Sequence, residues 1–128
     1  MIVLDASVLI AHLDAADDHH EHATRLLSDT TAIPLGASPL TLAEVLVGPA
    51  RADRHEIAQA AVRLLGVQQI PLSDDAPVRL AAMRASTGLT LPDCCVLLAV
   101  EQASGELATF DRRLSEVARS RGHVVRSR

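Results

Sequence analysis

Short apolar runs alternate with stretches of helical spacing along this chain, and that alternation leaves few folds open. The runs are Ile2-Val3-Leu4, a stretch around Ala32–Ala37, Val67–Leu72, Leu107–Phe110 and His123–Arg126. Each reads as a strand, being short, apolar or β-branched and bounded by breakers. Between them, Ala6 to about Ala16 reads as a helix packed through Val8, Leu9, Ala11, His12 and Leu13. Ala23, Leu26 and Leu27 continue at helical spacing after a polar stretch, Asp17 to His22. Ser38 caps a helix with Pro39 in its first turn, running to about Val47 and stopped at Gly48-Pro49. Asp53 to Leu65 is amphipathic, with Ile57, Ala60, Ala61, Leu64 and Leu65 on one face and Gly66 as stop. Ser73 or Asp74 caps the next helix, which stops at Gly88. Thr90-Leu91-Pro92-Asp93 opens an apolar helix ending at Gly105, and Asp111 caps a last one to about Ser120. Strands alternating with helices imply an α/β fold. The expectation is a three-layer sandwich with a central, mostly parallel sheet of about four to five strands and helices on both faces.

At 128 residues the chain is expected to form a single domain, residues 1–128, and 48% hydrophobic content excludes disorder. No apolar run approaches the length of a membrane span. Met1-Ile2-Val3 lacks the basic segment of a signal peptide, so a cytoplasmic protein with no membrane partner is expected. Cys94 and Cys95 are adjacent and poorly placed to bridge each other in a helix. The net charge of −4 argues against simple electrostatic adhesion to nucleic acid. All 12 cationic side chains are arginines, several of them late in the chain: Arg112, Arg113, Arg119, Arg121, Arg126 and Arg128. With Phe110 as the only aromatic residue, no base-stacking platform is expected, so contact with nucleic acid would run through phosphates and metal.

Four carboxylates carry the chemistry. Asp5 closes the first strand, at the sheet edge where open α/β folds bind ligands, and also reads as an N-cap for the helix at Ala6. Glu44 lies in Leu40–Val47, apolar on nearly every side, which reads as a buried helix. A buried carboxylate without a base within one turn needs a cation or a window to water. Asp93 fits a capping box with Thr90, and the helix N-terminus also favours the ionised form of a metal ligand. Asp111 caps its helix, but Arg112 and Arg113 then occupy a first turn where cations are disfavoured. Either Glu116 pairs with them at helical spacing, or nearby carboxylates or substrate phosphates hold them there. Gathered at one edge, the four carboxylates would repel one another unless a cation neutralised them. Hard oxygen ligands select Mg²⁺ or Mn²⁺, and such a site suits phosphodiester hydrolysis.

At these positions the chain resembles the PIN-domain nucleases, in particular VapC-type toxins of toxin–antitoxin pairs. The resemblance rests on Ile2-Val3-Leu4-Asp5-Ala6-Ser7, Leu42-Ala43-Glu44-Val45 with Gly48, Arg84 before Gly88-Leu89-Thr90-Leu91-Pro92-Asp93, and Thr109-Phe110-Asp111-Arg112. It implies a Mg²⁺- or Mn²⁺-dependent endoribonuclease acting on tRNA or rRNA, with Asp5, Glu44, Asp93 and Asp111 as catalytic, metal-binding residues. Ser7 and Thr109 become supporting polar residues, and Arg84, Arg112 and Arg113 candidates for substrate phosphate or partner contacts. It further implies a homodimer and a cognate antitoxin whose C-terminal segment covers the active-site groove. Cys94-Cys95 and Leu114 depart from the family pattern, where small residues and an aromatic are usual.

Other readings fare less well. A receiver-type phosphorylation domain needs a lysine, and none is present; a haloacid-dehalogenase-like phosphatase needs an aspartate where Ser7 stands. No glycine cluster supports a P-loop or dinucleotide site. His19, His20 and His22 beside Asp17, Asp18 and Glu21 read either as a solvated helix start or as zinc or nickel ligands. A metal-binding protein or a non-catalytic PIN-like binding module is the alternative function.

Overall fold

The computed structural model describes residues 1–127; Arg128 lies outside the described residues. Five strands form one sheet: β1 (Ile2–Leu4), β2 (Leu35–Ala37), β3 (Val67–Gln69), β4 (Glu106–Ala108) and β5 (Val125–Arg126). Every pairing is parallel, in the order β3-β2-β1-β4-β5. Seven helices connect them: α1 (Ala6–Leu13), α2 (His20–Asp29), α3 (Pro39–Arg51), α4 (His55–Leu64), α5 (Ala76–Thr87), α6 (Leu91–Ala103) and α7 (Arg112–Ser120). The chain winds outward from β1 in one direction and returns to β4 in the other. The strand order therefore reverses at the β1/β4 junction, leaving a crevice beyond the carboxyl ends of those strands.

Alternation along the strands builds the three layers. Ile2 and Leu4 of β1 pack with Leu35, Ala37 and Ala108 against α1, α2, α3 and α4, through Val8, Leu9, Leu26, Leu27, Val45 and Val62. Val3 and Leu107 point to the other face and pack against α5, α6 and α7. Cys94 to Val100 of α6 are all buried, since α5, α3 and β1 pack around that helix. Gly105 lets β4 start beside β1: a Cβ there would lie 2.7 Å from the Met1 carbonyl oxygen.

Several expected boundaries shift for local reasons. β1 coincides with its apolar run, whereas β2, β3, β4 and β5 are shorter than theirs. α1 ends at Leu13, not Ala16, because the Asp14 carboxylate accepts the Ala16 amide in a turn. α3 runs through Gly48-Pro49 to Arg51, since proline removes one helical hydrogen bond without enforcing a stop; Asp53, at φ 56°, follows it. α5 begins after Asp75, without a side-chain cap from Ser73 or Asp74. The apolar face expected for α4 does not enter the core: Val62 is its buried residue, while Ile57 and Leu64 are 63% and 89% exposed. Among the described residues, no single helix is long and apolar enough to cross a membrane.

Candidate active site

Asp5 follows β1 and caps α1, and it is 5% exposed. Leu4 pairs with Ala108, so the next residues, Asp5 and Thr109, meet across the crevice. Thr109 Oγ1 donates to Asp5 Oδ2 at 2.5 Å; Ser7 Oγ donates to Oδ1 at 2.6 Å, and the Val8 amide reaches the same oxygen at 3.3 Å. The hydroxyls are themselves aimed. Ser7 Oγ accepts the Phe110 amide at 3.1 Å, and Thr109 Oγ1 accepts the Asp111 amide at 2.9 Å. With those lone pairs engaged, each hydroxyl turns its single hydrogen to the carboxylate. Burial pushes the Asp5 carboxyl upward in pKa, Ser7, Thr109 and Val8 pull it down, and the charge of Asp93 adds to the rise.

The other carboxylates arrive from separate elements. Asp93 is half-buried in the first turn of α6, whose cap Thr90 accepts the Asp93 amide at 3.4 Å. The loop before it is pinned: Arg84 Nη1 donates to the Leu89 carbonyl at 2.7 Å and Arg113 Nη2 to the Thr87 carbonyl at 3.1 Å. Between them Gly88 adopts φ 71°, a conformation glycine reaches without strain. Asp111 is exposed and caps α7, accepting the Leu114 amide at 2.9 Å. Glu44 corrects the expectation of a buried carboxylate. Thr41 and Val45 are the buried residues of α3, and Glu44 is exposed on a helix that is buried on one side only.

Electrostatics ties the four together. Partial desolvation raises the Glu44 pKa, and the charges of Asp93 and Asp5 raise it further. Desolvation also raises Asp93, with Asp111 adding to it against the Thr90 hydrogen bond. Among the described residues none of the four forms an ion pair, so the repulsion has no protein countercharge in contact. The donor set, all hard carboxylate oxygens in mutual repulsion, fits Mg²⁺ or Mn²⁺. As the side chains stand, no three His, Cys, Asp or Glu among the described residues converge as a closed metal cage. Mg²⁺ commonly takes only one or two carboxylates and keeps several waters, so a loose carboxylate ring is compatible with it.

Arg112 pairs with Glu116 at 3.2 Å, both exposed, which accounts for one cation in the first turn of α7. His20 opens α2 and its Nδ1 donates to the Ala11 carbonyl at 2.8 Å; its ring stacks 6.3 Å from His12. Burial pushes both cysteine thiols up, which makes them poor nucleophiles. Sequence reasoning missed the surroundings of Phe110. Its ring stacks against His19, centroids 5.0 Å apart and 19° from parallel, immediately before Asp111. The one signal available was the position of the single aromatic residue next to a candidate ligand. On the other side, a groove of about 490 Å³ runs from Glu44 along Ile10, Leu13, Pro49 and Ile57.

The PIN domain family model matches residues 2–120. Among solved structures, a toxin–antitoxin complex from Klebsiella pneumoniae is 26% identical, with 87% of each chain covered and a TM-score of 0.70. VapC20 from Mycobacterium tuberculosis, a sarcin–ricin loop cleaving toxin, is 20% identical over 91% of this chain and 95% of its own, with a TM-score of 0.76. VapBC2 from Rickettsia felis, bound to a DNA fragment from its promoter, is 14% identical over 98% of each chain, with a TM-score of 0.73. At these last two identities the likeness is one of fold. No curated protein matches the chain.

Proposed function

The chain belongs to the PIN-domain family, and on that premise we propose that it is a Mg²⁺- or Mn²⁺-dependent endoribonuclease, the toxin of a toxin–antitoxin pair. The observation that carries this is the set of four carboxylates coupled around one crevice without a contacting countercharge. Residues 1–128 are read as a single PIN-like domain working in the cytoplasm on tRNA or rRNA.

Asp5, Glu44, Asp93 and Asp111 would hold the cation. When bound, it supplies Lewis-acid polarisation of the scissile phosphate and a lowered pKa for water. Ser7 and Thr109 fix Asp5 in position and favour its ionised, acceptor-only form, because both of its oxygens already receive hydroxyl hydrogens. Arg84 and Arg113 hold the loop that presents Asp93, while Arg112, whose exposed pair with Glu116 is weak enough to exchange, meets RNA phosphates at the rim; further phosphate contact by Arg113 uses its remaining donors. Attack by water in line with the 3′ oxygen leaves 5′-phosphate and 3′-hydroxyl ends.

The partner reading is an antitoxin segment laid along the apolar groove beside Glu44, where Ile10 and Ile57 are exposed at 40% and 63%. The protein is expected to pair as a homodimer. A second reading, a PIN-like binding module without catalysis, draws on the looseness of the carboxylate ring. Purified protein with total cellular RNA separates the two. Discrete fragments bearing 5′-phosphates, formed with Mg²⁺ or Mn²⁺ and absent with EDTA, are expected. Intact RNA in every divalent metal, with folded and antitoxin-free protein, would overturn the nuclease reading.

A further inference from the structure

The pocket beside Asp111 is not explained by the carboxylate chemistry. It has a volume of about 490 Å³ and is lined by His19, His22, Phe110, Asp111, Arg112 and Arg119, among others. That volume lies within the range of small-ligand sites. We propose that this pocket is a subsite for one unpaired nucleotide flanking the scissile bond of RNA, its base stacked on the His19–Phe110 shelf and its phosphate on Arg119. The inference rests on the ribonuclease reading and gives that site a base-contacting subsite made by this chain's own His19, Phe110 and Arg119.

Three observations meet here. First, the shelf is built. The Phe110 ring is half-buried against the core, His19 lies nearly parallel on it, and the His19 side chain remains 56% exposed. Asp17 steadies His19, accepting its amide at 2.8 Å and standing 3.8 Å from Nδ1. Flat aromatic and imidazole surfaces of this kind receive unstacked bases. Second, the pocket adjoins the acidic ring: Asp111 lines it together with Phe110, and the charge of Asp111 is felt by Asp93. Third, the pocket holds a cation free to meet a phosphate. Arg79, Arg112, Arg121 and Arg126 each pair with a glutamate, whereas Arg119 donates to the Ser115 hydroxyl at 2.8 Å and has no carboxylate partner among the described residues.

The test uses two readouts. In EDTA, protein carrying Asp5→Asn is titrated onto a labelled single-stranded RNA of about 12 nucleotides and followed by fluorescence anisotropy. Adding His19→Ala or Phe110→Leu should weaken binding about 5-fold or more, the lower end of a lost stacking contact. Adding Arg119→Ala should also reduce the salt slope by about one. In the metal-active protein, His19→Ala should raise KM with kcat little changed and alter the base preference at fragment ends. Because His19 is on the surface, its variant keeps the fold even where Phe110→Leu loosens the core. Unchanged affinity, KM and base preference in His19→Ala, beside normal wild-type cleavage, would overturn the subsite and leave the nuclease standing. RNA binding that depends on His19 without cleavage in any metal would do the reverse.

Discussion

Thr109→Val tests whether the hydroxyl relay, and not packing alone, holds Asp5. Valine matches threonine in shape and strand preference, so the buried position beyond β4 keeps its volume and loses only its oxygen. Two bonds go: the 2.5 Å donation to Asp5 Oδ2 and the acceptance of the Asp111 amide at 2.9 Å. A hydrogen bond to an ionised group is worth about 1.5–3 kcal/mol, and a partly buried amide left without an acceptor costs about 1 kcal/mol. The expected loss in metal-free protein at neutral pH is therefore about 2–4 kcal/mol. At about 3–4 °C per kcal/mol for a domain of this size, the melting temperature falls by roughly 6–16 °C. The bond lowers the Asp5 pKa, so its contribution is present while Asp5 is ionised and fades as the pH drops through the folded pKa. The loss should accordingly shrink in acid. Denaturant unfolding of Thr109→Val, Asp5→Asn and the double variant gives the coupling. A value above about 1 kcal/mol is expected, and additivity within about 0.5 kcal/mol would refute the relay.

Other consequences follow from the same geometry. Burial and mutual repulsion raise the folded pKa of Asp5, Glu44 and Asp93, so the folded state holds their protons more tightly than the unfolded chain does. The resulting destabilisation begins above the free values, 3.8 for the aspartates and 4.5 for the glutamate, and is complete above the raised folded values. Asp93→Asn should therefore stabilise metal-free protein by an amount that grows from about pH 4 to pH 7, which urea midpoints across that range will measure. Gly105→Ala forces a Cβ to 2.7 Å from the Met1 carbonyl and should destabilise by about 1–3 kcal/mol, read from the same midpoints. Arg84→Ala frees the Leu89 carbonyl; amide hydrogen exchange around Gly88–Thr90 should quicken, with a stability loss near 1 kcal/mol.

What was legible in the sequence was local. Asp5, Ser38, Thr90 and Asp111 all cap their helices with side chains, because a cap is decided by its own few residues. Strands alternating with helices implied a mostly parallel sheet, and the five strands are parallel throughout. What failed depended on neighbours. Glu44 sits in an apolar stretch, but burial is set by which face α1 and α6 cover, and they leave it open. The apolar face of α4 pointed to a core that the structure places elsewhere. Gly48-Pro49 carries a stop signal, yet the helix proceeds to Arg51. The stacking of Phe110 on His19 was likewise invisible locally, because the two rings lie far apart in sequence.

The central claim is that the four carboxylates form one site that needs a cation. Thermal unfolding of wild type and Asp93→Asn across a Mn²⁺ titration tests it without knowledge of the RNA. In EDTA the variant should melt higher, because a repelling charge is gone. With Mn²⁺ the order should reverse: an ion that binds only the folded state raises wild-type stability by about 2.7 kcal/mol at one hundred times its Kd, and Asp93→Asn should gain little. Wild-type stability unmoved by Mn²⁺, or raised equally in the variant, would contradict the account.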